Sequence, residues 1–142
     1  QWKLDKAAEL GADATVLDKG EDWSREVRAL TGKRGVDVCV DSVGGPLHFP
    51  IIKSLARGGT LVTCGCTAGA SPKTDLSRIF WNQLNIVGST MGTMDEFRSV
   101  ISLFKRGMKP VVDSVHDAVE AQNAFARLES GDQFGKIVIR WN

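Results

Sequence analysis

The chain has 142 residues, 42% of them hydrophobic and 25% charged, which is the composition of one ordinary globular domain. Lys and Arg number 18 against 17 Asp and Glu, so the formal net charge of +1 excludes the basic footprint of a nucleic-acid binder or of a membrane-surface helix. The apolar runs are only strand-sized, which excludes a membrane-spanning helix, and we expect no secretory signal because no such pattern opens the sequence.

The three cysteines, Cys39, Cys64 and Cys66, are an odd number and lie in apolar surroundings. A C-x-C pair without further ligands makes a poor zinc site. We therefore expect free thiols and a reducing, cytoplasmic setting.

The first half of the chain alternates segments of helical period with short apolar runs. The predicted elements are a helix over 2–10, a strand over 14–18, a helix over 21–31, a strand over 36–41, a helix over 47–56 and a strand over 60–64. Glycines close the three helices, at Gly11, Gly32 and the Gly58-Gly59 pair. Pro50 fits in the first turn of the third helix, where amide hydrogens have no intrahelical partner. Because no capping residue precedes the first helix, we expect more of the protein upstream.

The second half continues the same alternation after a small, polar loop over 65–73. The predicted elements are a helix over 76–84, a strand over 85–90, a helix between Thr93 and Gly107, a strand over 111–115, a helix between Asp117 and Gly131 and a strand over 135–141. Two capping boxes are predicted, Thr93 with Glu96 and Asp117 with Glu120.

Strands that alternate with helices of about ten residues indicate βαβ units and a mostly parallel sheet. Ligands bind outside the carboxyl ends of such strands. The loops at those ends, 42–45, 65–69 and 89–93, are rich in Gly, Ser and Thr, which let a ligand approach the backbone. The alternative is that these residues only make good turns.

No catalytic constellation is complete in the sequence. The phosphate-binding patterns G-x-G-x-x-G and G-x-x-x-x-G-K-[ST] and the nucleophile elbow G-x-S-x-G do not occur, and there is no tyrosine. His48 and His116 are interpreted as structural or surface residues, because no neighbouring ligands suit a metal. Asp41 ends a strand, where it either orients a ligand or, more often, makes a local turn hydrogen bond.

Five segments in order resemble the C-terminal, cofactor-binding half of the medium-chain dehydrogenase/reductase superfamily, which includes zinc-type alcohol dehydrogenases and quinone oxidoreductases. They are KLDKAAELGAD (3–13), GVDVCVDSVGG (35–45), GGTLVTCG (58–65), DLSRIFWNQLNIVGSTMGTMDEF (75–97) and FGKIVIRW (134–141). The longest of them is the most distinctive. Each motif alone is weak, but five in the right order are strong.

The resemblance implies an incomplete doubly wound, Rossmann-like α/β fold with a mostly parallel sheet that lacks the first two strands. Residues 1–142 would form a partial dinucleotide-binding domain, and about 108–142 would return toward an N-terminal catalytic domain that precedes Lys3 in the family. The strand at 14–18 would then lack a neighbour. The strands at 111–115 and 135–141 are also candidates for unpaired strands.

The resemblance also implies contacts to NAD or NADP. Lys3 would lie near the adenosine ribose, with Val43 and Gly44 beside the adenine and its ribose. The nicotinamide-side residues it implies, which act mostly through backbone groups, are Cys64, Gly65, Cys66, Gly88, Ser89 and Thr90. No catalytic residue and no metal ligand are expected in this chain, since zinc would be held by the other half.

By the same resemblance, the longer protein transfers a hydride between the nicotinamide and a small alcohol or carbonyl. It would form a homodimer through the edge strand 85–90, without nucleic-acid or membrane partners. Two other functions stay open. One is a zinc-free quinone or enone reductase of the same fold, and the other is a non-catalytic nucleotide-binding or dimerisation module. A methyltransferase is a distant further alternative.

Overall fold

The computed structural model describes residues 1–20 and 22–141, where helices alternate with parallel strands. The elements are α1 (Trp2–Glu9), α2 (Ser24–Leu30), β1 (Val36–Asp41), α3 (His48–Ser54), β2 (Leu55–Thr63), α4 (Leu76–Asn82), β3 (Asn85–Gly88), α5 (Met94–Lys105), β4 (Val112–Asp117), α6 (Ala121–Ser130) and β5 (Lys136–Arg140). The chain divides into two units, residues 1–91 and residues 92–142. The predicted α/β class with parallel strands is confirmed.

The first unit contains a three-stranded parallel sheet in the order β1-β2-β3. Its apolar core lies where α3 runs directly into the middle strand. The core residues are Ile51, Ile52, Leu55, Leu61 and Leu84, with Trp23, Val36, Cys39, Leu47 and Ile79 packed against them. Pro50 lies in the first turn of α3, as predicted, because that turn needs no amide hydrogen there.

The second unit contains a two-stranded parallel sheet, β4 with β5, and the helices α5 and α6. Thr93 and Glu96 form the predicted capping box at the start of α5. The Arg127 guanidinium donates two hydrogen bonds to the Asp113 carboxylate, at 2.6 and 2.9 Å, and the Phe134 amide donates a third at 3.0 Å. These bonds tie α6 and the segment before β5 to β4.

Several sequence predictions about strands and helix ends are wrong. Residues 14–18 form no strand, since nothing in the described chain pairs with them. The third helix ends at Ser54, and Gly58 and Gly59 lie inside β2 because the buried run that begins at Leu55 pairs with β1. The segments around 111–115 and 135–141 are not unpaired, because each is the other's partner.

Two helix starts also differ from the predictions. A short 3-10 turn occupies residues 118–120, so α6 begins only at Ala121 and the capping box of Asp117 with Glu120 does not form. The predicted helix over 21–31 is observed from Ser24, while Glu21 lies outside the described residues. No described helix is both long and apolar enough to cross a bilayer.

Candidate functional site

The carboxyl ends of the three strands in the first unit line up in one row. Register pairs Asp41 of β1 with Thr63 of β2, and Thr63 with Gly88 of β3. The Cys64 amide donates to the Asp41 carbonyl at 2.8 Å, and the Ser89 amide donates to the Thr63 carbonyl at 2.9 Å. The loops that follow the three strands therefore start from the same edge of the sheet, where ligands bind in parallel α/β folds.

A cleft of about 550 Å³ opens at this edge between the ends of β2 and β3. Its lining residues are small and uncharged: Thr63, Cys64, Gly65, Cys66, Gly88, Ser89 and Thr90. Six of the nine residues that the sequence predicts for the cofactor thus come together in one cleft. Whether they bind a cofactor stays a prediction.

Several backbone groups of the residues that line this cleft have no hydrogen-bond partner in the described chain. The amide hydrogens of Gly65, Cys66 and Thr90 have no hydrogen-bond partner within residues 1–20 and 22–141. The carbonyls of Cys64 and Ser89 likewise accept no hydrogen bond from the described chain. The cleft therefore offers donors and acceptors side by side, as recognition of a carboxamide group requires.

The loop after β1 and the loop after β2 are held against one another, which explains two of the glycines there. A Cβ on Gly65 would lie 2.6 Å from the Ser42 carbonyl oxygen. Gly44 has a positive φ of 66°, and a Cβ on it would lie 2.9 Å from the Gly69 carbonyl oxygen. Close approach of the two loops is therefore one reason for glycine at both positions, and the positive φ is a second reason at Gly44.

Asp41 organises the loop after β1. Its side chain is buried, with 5% of the residue exposed. It accepts hydrogen bonds from the Val43 amide at 2.8 Å and from the Gly44 amide at 3.2 Å. The carboxylate is thus used in a local turn, and its role is to fix the backbone of the loop rather than to face a ligand.

The other three predicted residues lie elsewhere in the first unit. Val43 lines a second cavity, of about 540 Å³, together with Asp18, Gly20 and Phe49 among others. Gly44 lies against Cys66, which lines the cleft. The Lys3 ammonium lies 5.5 Å from the ring centroid of its neighbour Trp2, and Lys3 lines none of the cavities described in this chain.

The described residues include no group of three or more His, Cys, Asp or Glu side chains that could hold a metal ion. The residues present therefore do not fit a zinc site. His48 Nε2 lies 3.0 Å from the Thr74 hydroxyl, and His116 Nε2 lies 3.1 Å from the Ser114 hydroxyl. Each histidine thus contacts a hydroxyl group, His116 that of a near neighbour in sequence and His48 that of a residue 26 positions away.

Sequence reasoning missed Thr63 as a lining residue of the cleft and Asp18 and Gly20 as lining residues of the second cavity. Thr63 could have been found, because it lies one residue before the end of the predicted strand over 60–64. Asp18 ends the predicted strand over 14–18 and Gly20 follows it, so the same signal applied to them, although the loop after that strand was not among those predicted to meet a ligand. The unpaired amides of the cleft depend on which loops meet, which no local pattern reveals.

Comparisons with known proteins give one consistent result. A model of the family described as zinc-binding dehydrogenase matches residues 1–106. The NAD-dependent alcohol dehydrogenase of Sulfolobus acidocaldarius is 31% identical over 139 residues, which are 96% of this chain and 40% of that protein. This chain therefore spans about 40% of the length of the curated relative that it matches.

Solved structures agree with the sequence comparison. An NAD-dependent alcohol dehydrogenase superposes with a TM-score of 0.84 and 35% identity over 96% of this chain and 40% of its own. A mycobacterial protein complexed with NADPH superposes with a TM-score of 0.78 and 25% identity over 97% of this chain and 46% of its own.

Proposed function

The chain belongs to the zinc-binding dehydrogenase family, and we propose that it holds the nicotinamide end of NAD or NADP in a longer alcohol dehydrogenase. The observation that carries the proposal is the cleft at the row Asp41–Thr63–Gly88, with its unpaired backbone amides and carbonyls. Relatives described as NAD-dependent alcohol dehydrogenases, and a structural neighbour complexed with NADPH, support this assignment.

In this proposal the cleft binds the nicotinamide through backbone groups. The amides of Gly65, Cys66 and Thr90 donate to the carboxamide oxygen and ribose hydroxyls, and the Ser89 carbonyl accepts from the carboxamide nitrogen. The cofactor supplies the chemistry, which is transfer of a hydride at its nicotinamide ring. This chain orients the ring, while Val43 and the second cavity receive the adenosine end, with Lys3 nearer the adenosine ribose.

The rest of the reaction belongs to the longer protein in this proposal. A small alcohol or carbonyl substrate, and the zinc ligands, would be held by an N-terminal catalytic domain, toward which residues of about 108–142 would return. No step is assigned to a side chain of this chain acting as acid, base or metal ligand. The three free thiols suit a reducing compartment such as the cytoplasm.

A glycine in the cleft provides the test. Gly88 lines the cleft and a Cβ on it would have no atom within 4 Å, so Gly88→Val adds an isopropyl group at this lining position without crowding of its Cβ. We expect saturation-transfer NMR with NADH to show at least about tenfold weaker binding, or about 1.4 kcal/mol, in this variant. The matched control is Gly92→Val, outside the lining, where the nearest atom to an added Cβ is 3.6 Å away. Equal loss of binding in both variants would contradict the proposal.

The affinity of the 142-residue chain for either cofactor is expected to be low. Its sequence has no G-x-G-x-x-G turn, whose amides at a helix N-terminus bind the pyrophosphate. Micromolar binding in a fluorescence titration would show this expectation to be wrong. A natural gene product close to 15.4 kDa would favour the non-catalytic module instead of the dehydrogenase.

We also propose that β3 pairs with its copy across a twofold axis to form a homodimer. All four residues of β3 are exposed, including Ile86 and Val87, and one edge of the strand has no partner in the described chain. Unpaired strand edges readily accept another strand. Val87→Lys should convert a dimer to a monomer in light scattering, whereas Val38→Lys on the opposite edge strand should not.

A further inference from the structure

The proposed cofactor site uses backbone groups, yet two cysteines are among the residues that line the same cleft. Cys64 and Cys66 are both exposed and both line it, separated by the tightly packed Gly65. We propose that this cleft is a covalent modification site for α,β-unsaturated carbonyl compounds, in which Cys66 reacts first, Cys64 second and Cys39 last.

Differences among the three thiols give this order. The Cys66 thiol has no hydrogen-bond partner in the described chain, whereas the Cys64 thiol donates to the Asp41 carbonyl at 3.5 Å. Cys39 lies half-buried in β1, and burial together with the nearby Asp41 carboxylate raises the pKa of its thiol. Because the thiolate is the nucleophile, a raised pKa and poor access both slow the reaction of Cys39.

The surroundings of the two thiols suit a carbonyl compound in particular. The unpaired amides of Gly65 and Cys66 can donate hydrogen bonds to the carbonyl oxygen that gains negative charge during addition. The thiolate sulfur bonds to the β-carbon, and the electron pair of the double bond moves toward the carbonyl. A proton from solvent then adds to the α-carbon. The thiol proton has already passed to solvent, so no oxidant or reductant is needed.

The consequence for binding rests on the proposed function. An adduct on Cys66 places additional atoms inside a cleft of about 550 Å³ that the nicotinamide would otherwise occupy. Modification and cofactor binding are therefore mutually exclusive. A reactive enone would block the site without touching a catalytic group.

N-ethylmaleimide, an unsaturated carbonyl reagent, tests the order on the full 142-residue chain. Limiting reagent, followed by peptide mapping with mass spectrometry, should label Cys66 at least about tenfold faster than Cys39, because Cys39 is half-buried and burial raises the pKa of its thiol. In denaturant the order should disappear. Cys66→Ser should leave Cys64 as the fastest site. Cys39 reacting as fast as Cys66 in the folded chain would overturn the inference.

Two further arms separate this inference from the proposed function. Iodoacetamide lacks a conjugated carbonyl acceptor, so the preference for Cys66 over Cys64 should be smaller with it than with N-ethylmaleimide. Equal preferences would refute the role of the amides. Excess NADH should slow labelling of Cys66 but not of Cys39. If the labelling order is as expected but NADH does not protect Cys66, the modification site stands and the cofactor assignment is contradicted. If NADH protects Cys66 but the labelling order is wrong, the cofactor assignment stands and the modification site is contradicted.

Discussion

The two units differ in how much apolar surface they bury. The first closes a core around Ile52 and Leu61, which are both completely buried. In the second, Ala124 is the one buried hydrophobic residue among those described, and the apolar side chains of α5 are exposed. Phe97, for example, is 57% exposed. Both units contain parallel strands joined through helices, so strand pairing alone does not produce a core.

The difference shows what a helix needs beyond its own sequence. The stripe of Phe97, Val100, Ile101 and Phe104 predicts an amphipathic helix, and α5 forms with a complete capping box. Burial of that stripe depends on an element packed against it, which local pattern does not supply. In the first unit α3 has such a partner, because it continues directly into the central strand β2.

The largest expected effect is loss of a core side chain in the first unit. Ile52→Ala should destabilise that unit by about 3 kcal/mol, because it leaves a cavity in a packed core. The matched substitution in α5, Ile101→Ala, should cost less than about 1 kcal/mol because the side chain is already exposed. Urea unfolding followed by hydrogen-exchange mass spectrometry assigns each loss to its unit. Equal losses would remove the contrast between the two units.

The second unit depends more on a single polar cluster. Asp113 is almost buried and holds α6 and the segment before β5 through bonds from Arg127 and Phe134. Asp113→Asn should lower the urea midpoint of this unit by more than any exposed substitution in it, because it weakens the bonds from Arg127 and Phe134. The exposed pair of Asp95 with Arg98 on α5 provides the control, since Asp95→Asn should barely move it. If both variants behave alike, the cluster does not stabilise the unit.

A smaller, pH-dependent contribution is expected in the first unit. Hydrogen bonds from Lys53 and Ser24 lower the pKa of Asp22 from 3.8 to about 2. Because the folded state prefers the charged carboxylate, this contribution is fully present above pH 3.8 and is lost as the pH falls toward about 2. Lys53→Met should reduce the loss of stability that occurs between pH 3.8 and about 2. The free energy of unfolding is measured at each pH by urea unfolding with Trp23 fluorescence, after the exposed tryptophans are changed to Phe.

The control for this pH effect is Lys6→Met, which removes an exposed pair with Glu9 on α1. It should leave the loss of stability at acid pH unchanged. An identical pH profile for Lys53→Met and the wild type would mean that the bond from Lys53 to Asp22 does not contribute.

The smallest effect on stability is expected at the exposed face of α5. Phe97→Ser should change the urea midpoint of the second unit very little, because the ring is more than half exposed in the folded chain. Binding of a hydrophobic dye should nevertheless fall, since the variant removes exposed apolar surface. A large loss of stability would mean that the stripe is buried in solution, and the comparison between the units would have to be revised.

Much of the fold follows from local sequence. Most of the remainder depends on which strands pair with one another. β1 is predicted over its full length, 36–41, because a β-branched run favours a strand, although the burial expected of that run is not observed, since Val38 and Val40 are exposed. The segment 14–18 has a similar pattern but forms no strand, since a strand exists only with a partner. Residues 55–59 join β2 although they resemble the end of a helix, because pairing with β1 extends the strand.

In the candidate site, too, the local residues could be predicted from the sequence but the contacts between segments could not. The small residues of the loops could be predicted, since they follow recognisable strands. Six of them share one cleft because β1, β2 and β3 end at the same level. The use of Asp41 within its own loop, and the close approach of Gly65 to Ser42, depend on contacts between loops that no single segment encodes.

Thr63 is paired with Asp41 on one side and with Gly88 on the other, at the ends of their strands. This alignment also determines where the sequence can change length during evolution. One residue inserted before the row would shift every later side chain of that strand to the opposite face of the sheet and move its loop away from the neighbouring loops. One residue inserted after the row would leave the ladder intact and alter only the wall of the cleft. Homologous chains should therefore keep the spacing within their strands constant and diverge in length just beyond Thr63 and Gly88, where the wall of the cleft can change without refolding the sheet.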